Sequence, residues 1–131
     1  MVQFTHAFAG VAVSDYAAAY GWYVRLFGRA ADMFPHDDEA VWRLTTSSSV
    51  YVVGDVERAG NGLLTLASDD LDGLAKRLQA DGLAFTWDCG GNAPVRLIVS
   101  DDDGNRIAFF QDPALQVFPE QCPGGRKMGD D

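Results

Sequence analysis

Residues 8–16 read FAGVAVSDY and residues 63–71 read LLTLASDDL; the likeness of these two stretches decides the fold. At an offset of 55 positions Asp15 falls on Asp70 and Phe8 on Leu63. Each stretch is a short apolar run that ends in Ser/Asp, the pattern of a strand running into a helix N-cap. Behind each comes a helical periodicity. Tyr16, Ala19, Tyr23 and Leu26 recur at three- and four-residue spacing in the first half, Leu71, Leu74 and Leu78 in the second. Such spacing marks one buried helical face. Gly28 and Gly82 then stand where a C-cap belongs.

Three strand signals follow each helix. They lie near Ala30–Phe34, Ala40–Thr45 and Ser49–Val53 in the first half, and near Ala84–Trp87, Val95–Ser100 and Arg106–Gln111 in the second. The separating segments PHDDE, TTSS, CGGNAP and DDDGN are turn-forming and polar. The halves also close alike, Val53-Gly54-Asp55 against Phe110-Gln111-Asp112. The pattern predicts an α+β chain of two βαβββ modules in tandem, curved mixed sheets around a groove. The first module spans about 4–55 and the second about 61–112, together one domain over 1–112. Pro113, Pro119, Pro123 and Gly124-Gly125 argue against regular structure in a C-terminal tail over 113–131.

Composition narrows the partners. The chain has 131 residues, 47% hydrophobic, with a formal net charge of −9. A surface so acidic disfavours nucleic acid and anionic membranes, and its field favours a cationic ligand. No apolar run is long enough to cross a membrane and the N-terminus has no signal-peptide pattern, so the expected setting is the cytoplasm, with Cys89 and Cys122 reduced.

Taken in order, Val13-Ser14-Asp15, Trp22-Tyr23 with Leu26-Phe27-Gly28, the ASDDL block and Asp101-Asp102-Asp103-Gly104-Asn105-Arg106-Ile107 resemble the vicinal oxygen chelate superfamily. This is the glyoxalase/bleomycin resistance/dioxygenase fold, and the resemblance covers about residues 4–112. It implies a groove that holds either a divalent metal for lyase, isomerase or dioxygenase chemistry, or a sequestered drug without metal. It also implies pairing into a homodimer. In metal-dependent relatives the ion is held by His or Glu side chains. Those positions fall here on Phe8, Tyr51, Leu63 and Ala108. Phe8, Leu63 and Ala108 carry no donor, and Tyr51 is neutral near pH 7. No metal or other cofactor is therefore expected.

Strand alternation assigns His6, Phe8, Gly10, Tyr51, Val53, Leu63, Thr65, Ala108 and Phe110 to the groove face. Trp42 and Trp87 are added as flat faces for stacking or cation–π contact. Small, apolar and aromatic residues of this kind line ligand pockets, although they also fill ordinary cores. His6 is the one candidate acid/base, with a plain hydrogen-bonded strand-end histidine as the alternative. The expected function is metal-independent binding of a small aromatic or cationic molecule. The alternative is a glyoxalase-like lyase or isomerase, or a dioxygenase-related enzyme, using a non-standard site.

Overall fold

The computed structural model describes residues 1–89 and 95–112. The expected tail over 113–131 and most of the CGGNAP segment lie outside the described residues. Two compact units are present. Among the described residues, one comprises Met1–Leu64 with Asp101–Asn105, the other the rest of Thr65–Ser100 with residues 106–112.

In the first unit, β1 (Ala7–Val13) leads into α1 (Tyr16–Phe27), then β2 (Met33–His36), β3 (Glu39–Thr45) and β4 (Ser48–Gly54). The strand order is β1-β4-β3-β2, with β1 parallel to β4 and the other pairs antiparallel. The helix begins where the sequence puts it: the Asp15 carboxylate accepts the Ala18 amide at 3.2 Å. It ends at Gly28, whose φ of 78° is left-handed and whose N–H reaches the Val24 carbonyl at 2.8 Å. Only glycine adopts that backbone without a Cβ penalty. The core lies between α1 and one sheet face. There Val11 and Val13 of β1, Val50 and Val52 of β4, and Ala40 and Trp42 of β3 meet Tyr23 and Leu26, all at most 2% exposed. Each such side chain contributes roughly 1.5–3 kcal/mol by leaving water.

The second unit repeats this plan. β5 (Leu63–Ser68), α2 (Leu71–Ala80), β6 (Thr86–Asp88), β7 (Arg96–Ser100) and β8 (Arg106–Gln111) form a sheet of order β5-β8-β7-β6. Asp70 caps α2 by accepting the Gly73 amide at 2.9 Å. Leu71, Ala75 and Leu78 bury its inner face against Leu97, Val99, Ile107 and Phe109. Leu74, expected on that face, is only half-buried, and Ala75 takes the inner position. Gly82 is left-handed at φ 77°, one residue beyond the helix cap at Asp81. The matched module ends are real at the level of single bonds. The Asp55 amide donates to the Val13 carbonyl at 2.9 Å, and the Asp112 amide to the Ser68 carbonyl at 2.8 Å.

Three expectations need correction. The second strand runs over Met33–His36 rather than Ala30–Phe34, so the PHDDE segment is mostly strand and its turn shrinks to Asp37-Asp38. Pro35 is tolerated because β2 is an edge strand, where a missing N–H breaks no ladder bond. The upstream residues are held instead as a bracket: the Asp32 carboxylate accepts Arg29 Nη1 at 2.8 Å and the Arg43 amide at 2.6 Å. In the second half, β6 starts at Thr86 and is three residues long, rather than running over Ala84–Trp87.

Candidate functional site

The first unit's outer sheet face carries much of the expected set. His6 donates to or accepts from the Ser49 hydroxyl through Nε2 at 2.8 Å, and its ring lies on Phe8 with centroids 4.5 Å apart. Phe8 is 56% exposed. Tyr51 is the register partner of Gly10, and Val53 of Ala12. Gly10 was expected to leave space for a ligand; the space is taken. A Cβ built there would stand 2.6 Å from the Tyr51 hydroxyl oxygen, so the phenol ring lies directly over the glycine. Among the described residues the His6 ring has a hydroxyl partner and no carboxylate bonded to it.

Trp42 is not on this face. It is fully buried against α1, stacked on Tyr20 at 5.8 Å and 5.0 Å from the Phe27 ring. Its indole N–H donates to the Arg29 carbonyl at 2.9 Å. The register decides this: Trp42 pairs with Val50, whose side chain points to the helix. The tryptophan is a core residue of its unit.

In the second unit, three antiparallel strands set side chains in rows on the face turned away from α2. Asp88, Arg96 and Phe110 form one row, and Thr86, Ile98 and Ala108 the next. Ser100 and Arg106 form the third. Here an open cavity of about 220 Å³ is lined by Ala84, Phe85, Thr86, Ile98 and Ser100. Three of its lining residues, Ala84, Phe85 and Ile98, are apolar, and two, Thr86 and Ser100, carry hydroxyls. That is the chemistry of a small-molecule pocket, at a size below the usual ~300–1,000 Å³ range.

None of the five lining residues was singled out from the sequence. The signal was the alternation in β7, where Leu97 and Val99 are buried while Ile98 and Ser100 are not. Trp87, expected to face a ligand, is the register partner of fully buried Leu97 and lies on the other side. It touches the cavity indirectly: its ring meets Phe85 edge-on, 6.4 Å between centroids at 89°. Ala108 stands beside Ile98 but is itself buried, 6% exposed. Phe110 is half-buried beside Arg96. Leu63 is 84% exposed and Thr65 is exposed, both on β5.

The DDDGN segment departs from the expected solvated loop. Asp101 is 8% exposed and Asn105 fully buried. The Asp101 carboxylate accepts the Tyr23 hydroxyl at 2.7 Å, Asn105 Nδ2 at 2.8 Å, and the amides of Asp103 and Asn105. Asn105 Nδ2 also donates to the Ala12 carbonyl at 2.8 Å, and Asp103 accepts the Ser14 hydroxyl at 2.6 Å. Burial first, then the bond to Asp101, pushes the Tyr23 phenol far above its ordinary range. A buried tyrosine needs an acceptor, and this acidic turn supplies it.

Among the described residues, no group of three or more His, Cys, Asp or Glu side chains is placed to hold a metal ion. The four positions that would ligate one in metal-dependent relatives do not fit a divalent cation: Phe8, Leu63 and Ala108 offer only carbon. Cys89 is disulfide-bonded, which corrects the expectation of reduced thiols. Cys122 lies outside the described residues. The cytoplasmic expectation thereby loses its thiol argument. No helix among the described residues is long and apolar enough to cross a membrane.

A glyoxalase/bleomycin resistance protein of Catenulispora acidiphila DSM 44928, known from its crystal structure, is 36% identical to this chain. The match covers 82% of this chain and 98% of that one, with a TM-score of 0.78. The chain belongs to the glyoxalase/bleomycin resistance family. TnmS3, an antibiotic binding protein from Streptomyces sp. CB03234, is similar at 26% identity, covering 85% of this chain and 98% of its own, TM-score 0.67. A bleomycin-binding protein solved with bleomycin shares the fold at 14% identity, covering 82% of this chain and 98% of that one, TM-score 0.68. No family model matches the chain, and no curated protein does. Small-molecule binding therefore fits the family as well as the cavity.

Proposed function

We propose that this family member binds a small, partly aromatic molecule without a metal, in the cavity on the outer face of the second sheet. The observation that carries the reading is the cavity itself: about 220 Å³, lined by the apolar Ala84, Phe85 and Ile98 and by the hydroxyl-bearing Thr86 and Ser100. An apolar ring entering it leaves water and gains roughly 25 cal/mol per Å² buried. The two hydroxyls orient the ligand.

Calorimetric titration with naphthamide, a neutral bicyclic aromatic, tests this. Saturable binding to the wild type, at least tenfold weaker in Ser100→Phe, is expected. Ser100 is exposed at a strand end, so the added ring fills the cavity rather than disturbing the core. No binding to the wild type, or equal binding to both proteins, overturns the reading.

Pairing with a second copy is part of the same proposal. Phe4 at 98%, Phe8 at 56% and Leu63 at 84% exposure leave large apolar side chains in water. Exposed large apolar side chains are the residues an association surface covers. Sedimentation equilibrium should give twice the chain mass of 14.2 kDa, and Phe8→Asp with Leu63→Asp should return the single mass.

A further inference from the structure

Within the paired strands β6, β7 and β8, three charged side chains stand on the sheet face that bears the cavity, and they do not balance. Asp88 and Arg96, cross-strand partners on β6 and β7, bond to each other at 2.7 Å. Each is thereby neutralised locally. Arg106, the cross-strand partner of Ser100, is exposed and makes no hydrogen bond or ion pair among the described residues. Partners in an antiparallel pair stand about 4.5–5.5 Å apart at Cβ, well within the reach of an arginine. β5, the remaining strand, carries no charged residue over Leu63–Ser68. Within the strands of this face the unpaired charge is therefore positive, although the chain as a whole is −9 and the exposed Asp102 stands in the turn between Ser100 and Arg106. The net field acts over a range that salt screens within about 10 Å, whereas a group at the rim acts on the bound ligand directly.

We infer that Arg106 is a specificity-determining residue: the ligand is an aromatic or apolar ring bearing an anionic oxygen group, with the ring among Phe85 and Ile98 and the anion at Arg106 and the Ser100 hydroxyl. A guanidinium offers a planar fork of donors matched to carboxylate and sulfonate oxygens. Within the described strands of this face the one carboxylate, Asp88, is already engaged by Arg96 and is not free for a cationic group. This assignment rests on the cavity being the binding site; it keeps the aromatic part of the expected aromatic or cationic ligand and replaces the cation by an acid.

The test compares three probes of one shape: naphthoate, naphthamide and naphthylmethylammonium, titrated calorimetrically into the full chain at low salt. Naphthoate is expected to bind at least fivefold tighter than naphthamide, and the ammonium compound weakest. Arg106→Gln should erase the advantage of naphthoate while leaving naphthamide unchanged, and Arg106→Lys should restore part of it. Arg106 is exposed, so neither substitution threatens the fold. Equal affinity for naphthoate and naphthamide, or an unchanged preference in Arg106→Gln, overturns the assignment of Arg106 and leaves the cavity reading standing. Failure of all three probes to bind overturns both.

Discussion

Tyr23 and Asp101 show how one residue pair can be hidden in a sequence. The helical spacing of Tyr16, Ala19, Tyr23 and Leu26 places Tyr23 on the buried face, and it is fully buried. Its hydroxyl must then find an acceptor, 78 residues away in the turn before Arg106. Composition alone makes Asp101-Asp102-Asp103 look like a solvated turn; only tertiary structure reveals that its first carboxylate takes four donors. Tyr23→Phe removes one of these. The expected cost is about 1.5–3 kcal/mol in urea unfolding near pH 7, the usual range for a hydrogen bond to a charged group.

The pH dependence has a definite sign. Unfolded, the phenol ionises near its ordinary value of 10.0, while the folded protein holds it protonated well above that. Above pH 10 the unfolded chain has shed a proton that the folded chain keeps. The contribution is full below that pH and falls as pH rises, by about 1.4 kcal/mol per pH unit. Tyr16 is raised in the same sense, chiefly by burial, so Tyr23→Phe should reduce this alkaline slope without abolishing it. Urea midpoints at pH 7, 10 and 11 for both proteins check this.

At the scale of elements, the duplication was legible because caps and periodicity are local. Asp15 and Asp70 cap their helices as the Ser/Asp pattern requires, and β8 runs over Arg106–Gln111 as expected. β2 and β6 were displaced because both are short edge strands. Edge strands are placed by a single neighbour, and local sequence says little about where that pairing starts. The same gap hid the site. Cavity residues come from the β6–β7 register, and a register is a tertiary fact. For Trp42, alternation alone left its side open, and pairing with Val50 settles it toward the helix. Two substitutions test the local claims by thermal melting. Gly28→Ala should cost about 1 kcal/mol because alanine must adopt a left-handed backbone. Asp15→Ala should cost a similar ~1 kcal/mol through loss of the cap.

For the whole molecule, the account is of a chain with the glyoxalase/bleomycin resistance fold in which three of the four positions matched to metal ligands, Phe8, Leu63 and Ala108, are hydrocarbon and the fourth is Tyr51. The proposed function draws on a cavity of modest size, the Thr86 and Ser100 hydroxyls and the Arg106 guanidinium. Ligand binding must also raise stability by mass action, by about 2.7 kcal/mol at one hundred times the dissociation constant. A matching rise in melting temperature with naphthoate is expected, and it should be smaller in Ser100→Phe. The most direct measurement is amide chemical-shift mapping during a naphthoate titration of isotope-labelled protein. The account predicts saturable shifts concentrated at Ala84, Phe85, Thr86, Ile98, Ser100 and Arg106. Shifts that do not saturate, or that gather at residues such as Phe8 and Tyr51 while these six stay still, would contradict it.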